Sequence, residues 1–363
     1  MLGWIVFFLI ILLLLFIYKT KAITIEVAKF TILLIFIAFA GFRTNMGSDH
    51  FSYIIIYETI SQKGFFSYDL ELGWQLINNI AILFGSFQYV YLISSVIIYS
   101  LIFKRIFEDN KYWVSGLVVF IITPSMFLYT LITVKQYIAI AFFLFSIIYI
   151  QKGKPFIYFL INIISFLVHK SAIILFFVYP IVRRKISNII FLALIVSAFL
   201  LNYLVEIVIT TVPMFGKYIA LMDVGFDDKG NTLLFRLIIE IITALSLLSL
   251  KSELNYEDNH KIQIDYNIFM FGLIITIGLF QFVALKRIGF YFLICGVTIV
   301  PRILVLKLKS KNIIGLLSIF FMRFIYPAYL FVSFYQAGLK EAWSLSLVTP
   351  FTMFYQSILF LGK

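Results

Sequence analysis

The chain has 363 residues, of which 63% are hydrophobic and only 13% charged, and its mean hydropathy is +1.07. A soluble domain of this length carries about 25% charged residues, so the composition excludes a soluble fold and points to many bilayer crossings. The net charge of +12 lies in short clusters between apolar runs, which marks topology and attraction to anionic lipid rather than nucleic-acid binding.

In chain order the apolar runs are 2–18, 27–42, 87–103, 112–131, 134–150, 155–168, 171–182, 187–211, 233–250, 266–285, 288–306, 312–334 and 348–361. Backbone polar groups in lipid must be satisfied within their own segment, so these runs predict helices. The expected fold is all-α, a single polytopic membrane domain over 1–363 with about 11–14 transmembrane helices. The first run, Leu2 to Tyr18, has no basic residues ahead of its core and no small-residue cleavage site behind it. It reads as a retained helix rather than a signal peptide. Within the loop 43–86, Leu72, Leu76, Ile77, Ile80 and Leu83 recur at helical spacing but share the stretch with Gln75, Asn78 and Asn79. That pattern predicts an amphipathic helix at the membrane interface. The polar stretches are too short for a soluble domain, and no internal repeat marks a two-fold transporter. The lone Cys295 cannot form an intrachain disulfide.

Orientation follows the lysines and arginines. With the loop from Lys19 to Lys29 inside, alternation puts Lys104, Arg105 and Lys111 inside, then Lys152 and Lys154, then Arg183, Arg184 and Lys185. Lys251 and Lys261 follow, and last Lys307, Lys309 and Lys311. The N-terminus is then outside, and the long loops 43–86 and 212–232 lie on the outer side.

The cations that break this pattern are Arg43, Lys135, Lys170, Arg236, Lys286, Arg287 and Arg323. An ionisable group at membrane depth costs about 2.5–3.5 kcal/mol on insertion scales, so each needs a partner, a cavity or a route to the headgroups. Arg43, Lys135 and Arg287 lie at outer ends of different spans. Converging, they would form a basic pocket suited to an anionic lipid headgroup, a pyrophosphate above all. Lys135 and Lys286 have the alternative of snorkelling to the headgroups. Arg236 and Glu240 stand four apart on one helix, the spacing of an ion pair. Possible acids and bases are Asp49, in a loop where Gly47 can turn the backbone, and His169 at an outer span end. The three histidines are far apart and no metal-ligand cluster, Walker A sequence or nucleophile elbow is present. No metal or other cofactor is expected.

The segment Arg43-x-x-x-Gly47-x-Asp49-x-x-x-Tyr53 after the second run resembles the signature of the EpsG family, Wzy-like polymerases of bacterial exopolysaccharide, capsule and O-antigen. Val134-Lys135-Gln136-x-x-Ala139 is similar to the family's Ile-Arg-Gln-x-x-Ala, and Phe166-Leu167-Val168-His169-Lys170-Ser171-Ala172 to its Phe-His-x-Ser-Ala. Arg287-Ile-Gly-Phe-Tyr291-Phe292 resembles an Arg-x-x-x-Tyr-Phe element, and Thr349-Pro350-Phe351 a Pro-Tyr element. The sequence departs by lysine for arginine at 135, which loses the planar fork, and phenylalanine for tyrosine at 351. The resemblance implies a metal-independent glycosyltransferase of the bacterial cytoplasmic membrane. It would join polyprenyl-pyrophosphate-linked oligosaccharide repeat units on the outer face, alongside a possible chain-length regulator. Arg43, Lys135 and Arg287 would then clamp the pyrophosphate. His169, or else Asp49, would be the base, supported by Gly47, Tyr53, Gln136, Tyr291, Arg236 and Glu240. A transporter or flippase of lipid-linked glycans is the competing expectation, and a membrane acyltransferase a weaker one.

Overall fold

The computed structural model describes residues 2–44, 47, 49–64, 71–211, 230–254, 256, 259–306, 313–341 and 346–347. The run 348–361, the element Thr349-Pro350-Phe351 and most of the loop 212–232 lie outside the described residues. Among the described residues the regular structure is helical apart from one two-residue ladder.

The helices are α1 (Leu2–Lys19), α2 (Ile25–Gly41), α3 (His50–Lys63), α4 (Leu72–Leu83), α5 (Gln88–Ile106), α6 (Trp113–Ile122), α7 (Phe127–Ile132), α8 (Val134–Gln151) and α9 (Pro155–Val168). A 3₁₀ stretch, Lys170–Phe177, leads into α10 (Val178–Val182), followed by α11 (Asn188–Thr211), α12 (Gly230–Leu250), α13 (His260–Gly278) and α14 (Val283–Lys286). After a 3₁₀ turn at Arg287–Gly289 come α15 (Phe290–Leu293), α16 (Gly296–Leu304), α17 (Ile313–Phe320) and, past a π turn at Phe321–Ile325, α18 (Tyr326–Glu341). Strands β1 (Arg43–Thr44) and β2 (Ser346–Leu347) pair antiparallel, Arg43 opposite Leu347.

Among the described residues, four helical segments are long and apolar enough to cross a membrane alone: Gln88–Ile106, Val134–Gln151, Asn188–Val208 and Ile313–Gln336. The pair Arg287–Leu293 and Gly296–Leu304, bent by 56°, makes a fifth if counted as one span. Other expected spans form shorter apolar helices, including Pro155–Val168 and Lys170–Val182. The run 112–131 is one of those that break. Pro124 lacks an amide donor, and the chain turns between α6 and α7 instead of continuing. This is a multi-pass membrane protein.

Helix α8 is the axis of the bundle, packed on α5, α7, α9, α13 and α15. Within its spanning window 67% is buried inside the protein, against 22% for α11, which faces lipid. Small and polar residues bring α8 and α9 together, as they do where lipid removes the usual hydrophobic drive. Asn162 donates to Ser146 Oγ at 3.0 Å, and the Ser165 hydroxyl to the Ala139 carbonyl at 3.3 Å. At one end, Arg105 bonds both Glu108 and Asp265, and Gln151 donates to the same Asp265 at 3.0 Å. That network ties α5, α8 and α13 together. The candidate site lies at the other end.

Candidate functional site

Helix α2 stops at Gly41, and its last carbonyls are met from α5. Gln88 Nε2 donates to Gly41 O at 2.6 Å and to Arg43 O at 2.9 Å. The Arg43 side chain then turns inward and is only 1% exposed. Its guanidinium lies over the Tyr91 ring at 3.8 Å, and one terminal nitrogen donates to Ala40 O. Nε and the second terminal nitrogen are buried with no hydrogen-bond partner. A buried cation with open donors is costly, and an anion would complete it. Tyr91 also shares a 2.6 Å hydrogen bond with His50 Nδ1. Burial and then the Arg43 charge hold His50 below the ordinary imidazole value. The Tyr53 hydroxyl donates to Asp49 Oδ2 at 3.5 Å.

Gly47 brings this loop onto the end of α7, just ahead of α8. Its φ is +88°, and a Cβ there would stand 2.9 Å from Ile132 Cα. The position therefore demands both the left-handed backbone and the missing side chain. Two residues into α8, Lys135 Nζ meets Glu71 Oε2 at 2.9 Å. The other oxygen, Oε1, accepts the Lys170 backbone amide at 3.2 Å and faces His169 Nδ1 at 3.6 Å. Burial would raise the Glu71 carboxyl, but contacts with His169 and Lys135 outweigh it and hold the group well below the usual carboxylate range.

Gln136, one residue on, donates to the Arg287 carbonyl at 2.9 Å and so fixes the 3₁₀ turn that carries this arginine. Arg287 sits 5.9 Å from the Tyr129 ring centroid, and its Nε is buried without a partner. Tyr291, wholly buried, shares a 3.1 Å hydrogen bond with the Ser171 hydroxyl, two residues after His169. Segments from distant parts of the chain thus interlock. The sequence model of the EpsG family matches residues 26–348.

The chain belongs to the EpsG family. Its membership makes it a polysaccharide-polymerase-like membrane protein, of a family associated with glycosyltransferase-like polymerases. No curated protein and no solved structure matches it.

Not every expected residue of this EpsG chain joins that cluster. Arg236 and Glu240 instead line a cavity of about 200 Å³ between α12, α13 and α18, with Tyr129, Lys286 and Tyr326. The ion pair there is Lys286 Nζ with Glu240 Oε1 at 2.8 Å, in place of the expected Arg236–Glu240 contact. The i, i+4 spacing offered a local partner, and the chain supplied one from another segment. Lys286, read as a snorkelling candidate, is bound inside. Arg323 lies in the π turn and donates to the Leu306 carbonyl.

The residue that sequence reading missed is Glu71. It stands in no recognised motif, and its partners are remote in the chain. The one local sign is Gly73. A Cβ at that position would lie 2.8 Å from Val168 Cγ2 and 3.0 Å from Leu167 O. Only glycine lets the start of α4 rest on the end of α9, which is what delivers Glu71 to His169.

Proposed function

We propose that the chain joins polyprenyl-pyrophosphate-linked oligosaccharide repeat units into exopolysaccharide, capsule or O-antigen. The site end is then the outer face of the bacterial cytoplasmic membrane, and the N-terminus is outside. The observation that carries this reading is the pair of arginines with open, buried donors, Arg43 and Arg287, interlocked with the segment that bears a partly exposed His169. Leaving-group chemistry needs charge held ready for the departing pyrophosphate, because fixed donors in a dry site need not reorganise as the charge develops. A base must also take the proton of the attacking hydroxyl.

In the step itself, the bond from the anomeric carbon to the phosphate oxygen breaks, and the pyrophosphate leaves with the electron pair. A hydroxyl oxygen of the second unit forms the new glycosidic bond, and its proton passes to His169. Asp49, the alternative base, already accepts the Tyr53 hydroxyl. Arg43 and Arg287 receive the leaving charge. Lys135, the third expected cation of the clamp, is engaged by Glu71. A chain-length regulator would act on the product from outside this site.

The competing reading is a flippase, which would move the same lipid without cleaving it. Purified protein in lipid vesicles, given lipid-linked repeat units, should yield longer glycans and free polyprenyl pyrophosphate. Arg43→Ala and Arg287→Ala should each lower the rate by on the order of 10²-fold at normal protein levels. Translocation without new glycosidic bonds, or variants as active as wild type, would overturn the proposal.

A further inference from the structure

We infer that Glu71 is the positioning residue of the site, holding His169 as a base through its Nδ1 while Lys135 neutralises the carboxylate. The inference rests on the polymerase reading and deepens it.

Glu71 occupies the N-cap of α4, with extended backbone at φ −62° and ψ 133°. The short side chains of Ser, Thr, Asp and Asn turn back from this position to bond the first amides of the helix, a reach that glutamate does not suit. Glu71 makes no such bond. Its carboxylate reaches away to α8 and to the junction of α9 with the 3₁₀ stretch. The side chain is 8% exposed and its oxygens are divided between partners, Oε2 to Lys135 and Oε1 to the Lys170 amide and His169. A salt bridge that only fastened α4 to α8 would need Lys135 alone. The second oxygen is aimed at an imidazole.

His169 is placed to use it. It closes α9 with an extended backbone at φ −150° and ψ 116°, and its side chain keeps 25% of its surface exposed. Nδ1 is buried and has no hydrogen-bond partner within range. The open edge of the ring is therefore the Nε2 edge. A carboxylate facing Nδ1 selects the tautomer that carries its proton there and leaves the Nε2 lone pair for substrate. The 3.6 Å separation is longer than a hydrogen bond, as base contacts often are before substrate closes the site.

The proton balance is simple. Nε2 takes the proton of the attacking hydroxyl, and the imidazolium formed is stabilised by Glu71, which stays ionised because Lys135 offsets its charge. Tyr291 completes the support by holding Ser171 at 3.1 Å, which fixes the turn that follows His169.

The test is steady-state kinetics of the full-length protein in vesicles with lipid-linked repeat units. Glu71→Gln should lower kcat on the order of 10²-fold with KM unchanged within about twofold. Glu71→Asp should recover part of the rate. The double variant of Glu71→Gln with His169→Gln should be no slower than His169→Gln alone, since the two act as one unit. A purely structural ion pair predicts the opposite, losses that multiply and rates that follow thermal stability. Multiplied losses, a KM effect alone, or a Glu71→Gln protein with wild-type kcat would overturn the inference. If Glu71→Gln does not accumulate, Glu71→Asp carries the test, and a kcat equal to wild type overturns it. A wild type that joins no units sinks the polymerase reading and this one with it. An active wild type with an unaffected Glu71→Gln sinks only the role of Glu71.

Discussion

Replacing Gly73 with alanine should pull the Glu71 carboxylate away from His169 and the Lys170 amide. The new Cβ would lie 2.8 Å from Val168 Cγ2, 3.0 Å from the Leu167 carbonyl oxygen and 3.1 Å from the carbonyl carbon. The valine methyl can rotate aside, but the backbone atoms cannot. Restoring ordinary contact moves the start of α4 off α9 by roughly half an ångström, since a close-packed interior transmits the strain. The Lys170 amide bond to Glu71, already 3.2 Å, then passes out of hydrogen-bond range. The Lys135 contact survives because a long side chain follows. Overpacking costs about 1–3 kcal/mol, offset by up to ~1 kcal/mol from alanine's better helix propensity. Thermal melting in lipid nanodiscs should fall, and kcat should fall with it. Adding Val168→Ala should recover little, because the backbone contacts remain. A Gly73→Ala protein that melts and turns over like wild type would refute the argument, as would full rescue by Val168→Ala.

Lys286→Ala should destabilise the protein by up to about 3 kcal/mol, because the half-buried Glu240 loses its ion-pair partner while its Oε2 is already unpartnered. Glu240→Ala in that background should restore much of the loss in a melting assay. The exposed Arg236, changed to alanine, should cost within about 0.5 kcal/mol. His50 gives a pH signature. Its folded value lies below the ordinary 6.5, so both states are neutral above 6.5 and the unfolded chain takes the proton first as pH falls. Stability should therefore decline from pH 6.5 downwards and level off below the folded value. The decline should be shallower in His50→Gln, and coincident curves from pH 8 to 5 would dismiss the effect.

What could be read from the chain alone was what is written contiguously. Apolar runs mark the membrane, and the short motifs around Arg43, Lys135, His169 and Arg287 mark the segments that the fold interlocks. What could not be read is pairing at a distance. Nothing next to Glu71 says that its carboxylate will skip its own helix for Lys135 and His169. Nothing next to Glu240 says that Lys286 will displace Arg236. The breaks at Pro124 and between α15 and α16 divide runs whose hydropathy is continuous.

Helix α4 shows why lipid changes the rules. Trp74, Gln75 and Asn78 face the protein, while Leu72, Leu76 and Leu83 are exposed. Ile77 and Ala81 also pack inward, while the leucines turn outward because hydrocarbon is as good a solvent for leucine as a core would be. Polar side chains turn inward, where Asn78 bonds the Trp74 carbonyl at 2.9 Å.

The helix that Glu71 caps thus rests on the protein along one side and turns exposed leucines to the bilayer side along the other. The bilayer is in effect an outer wall of the site, and its thickness and order press on the element that aims the carboxylate. Detergent removes that wall, so measurements in micelles would describe a differently braced protein from the one the membrane holds.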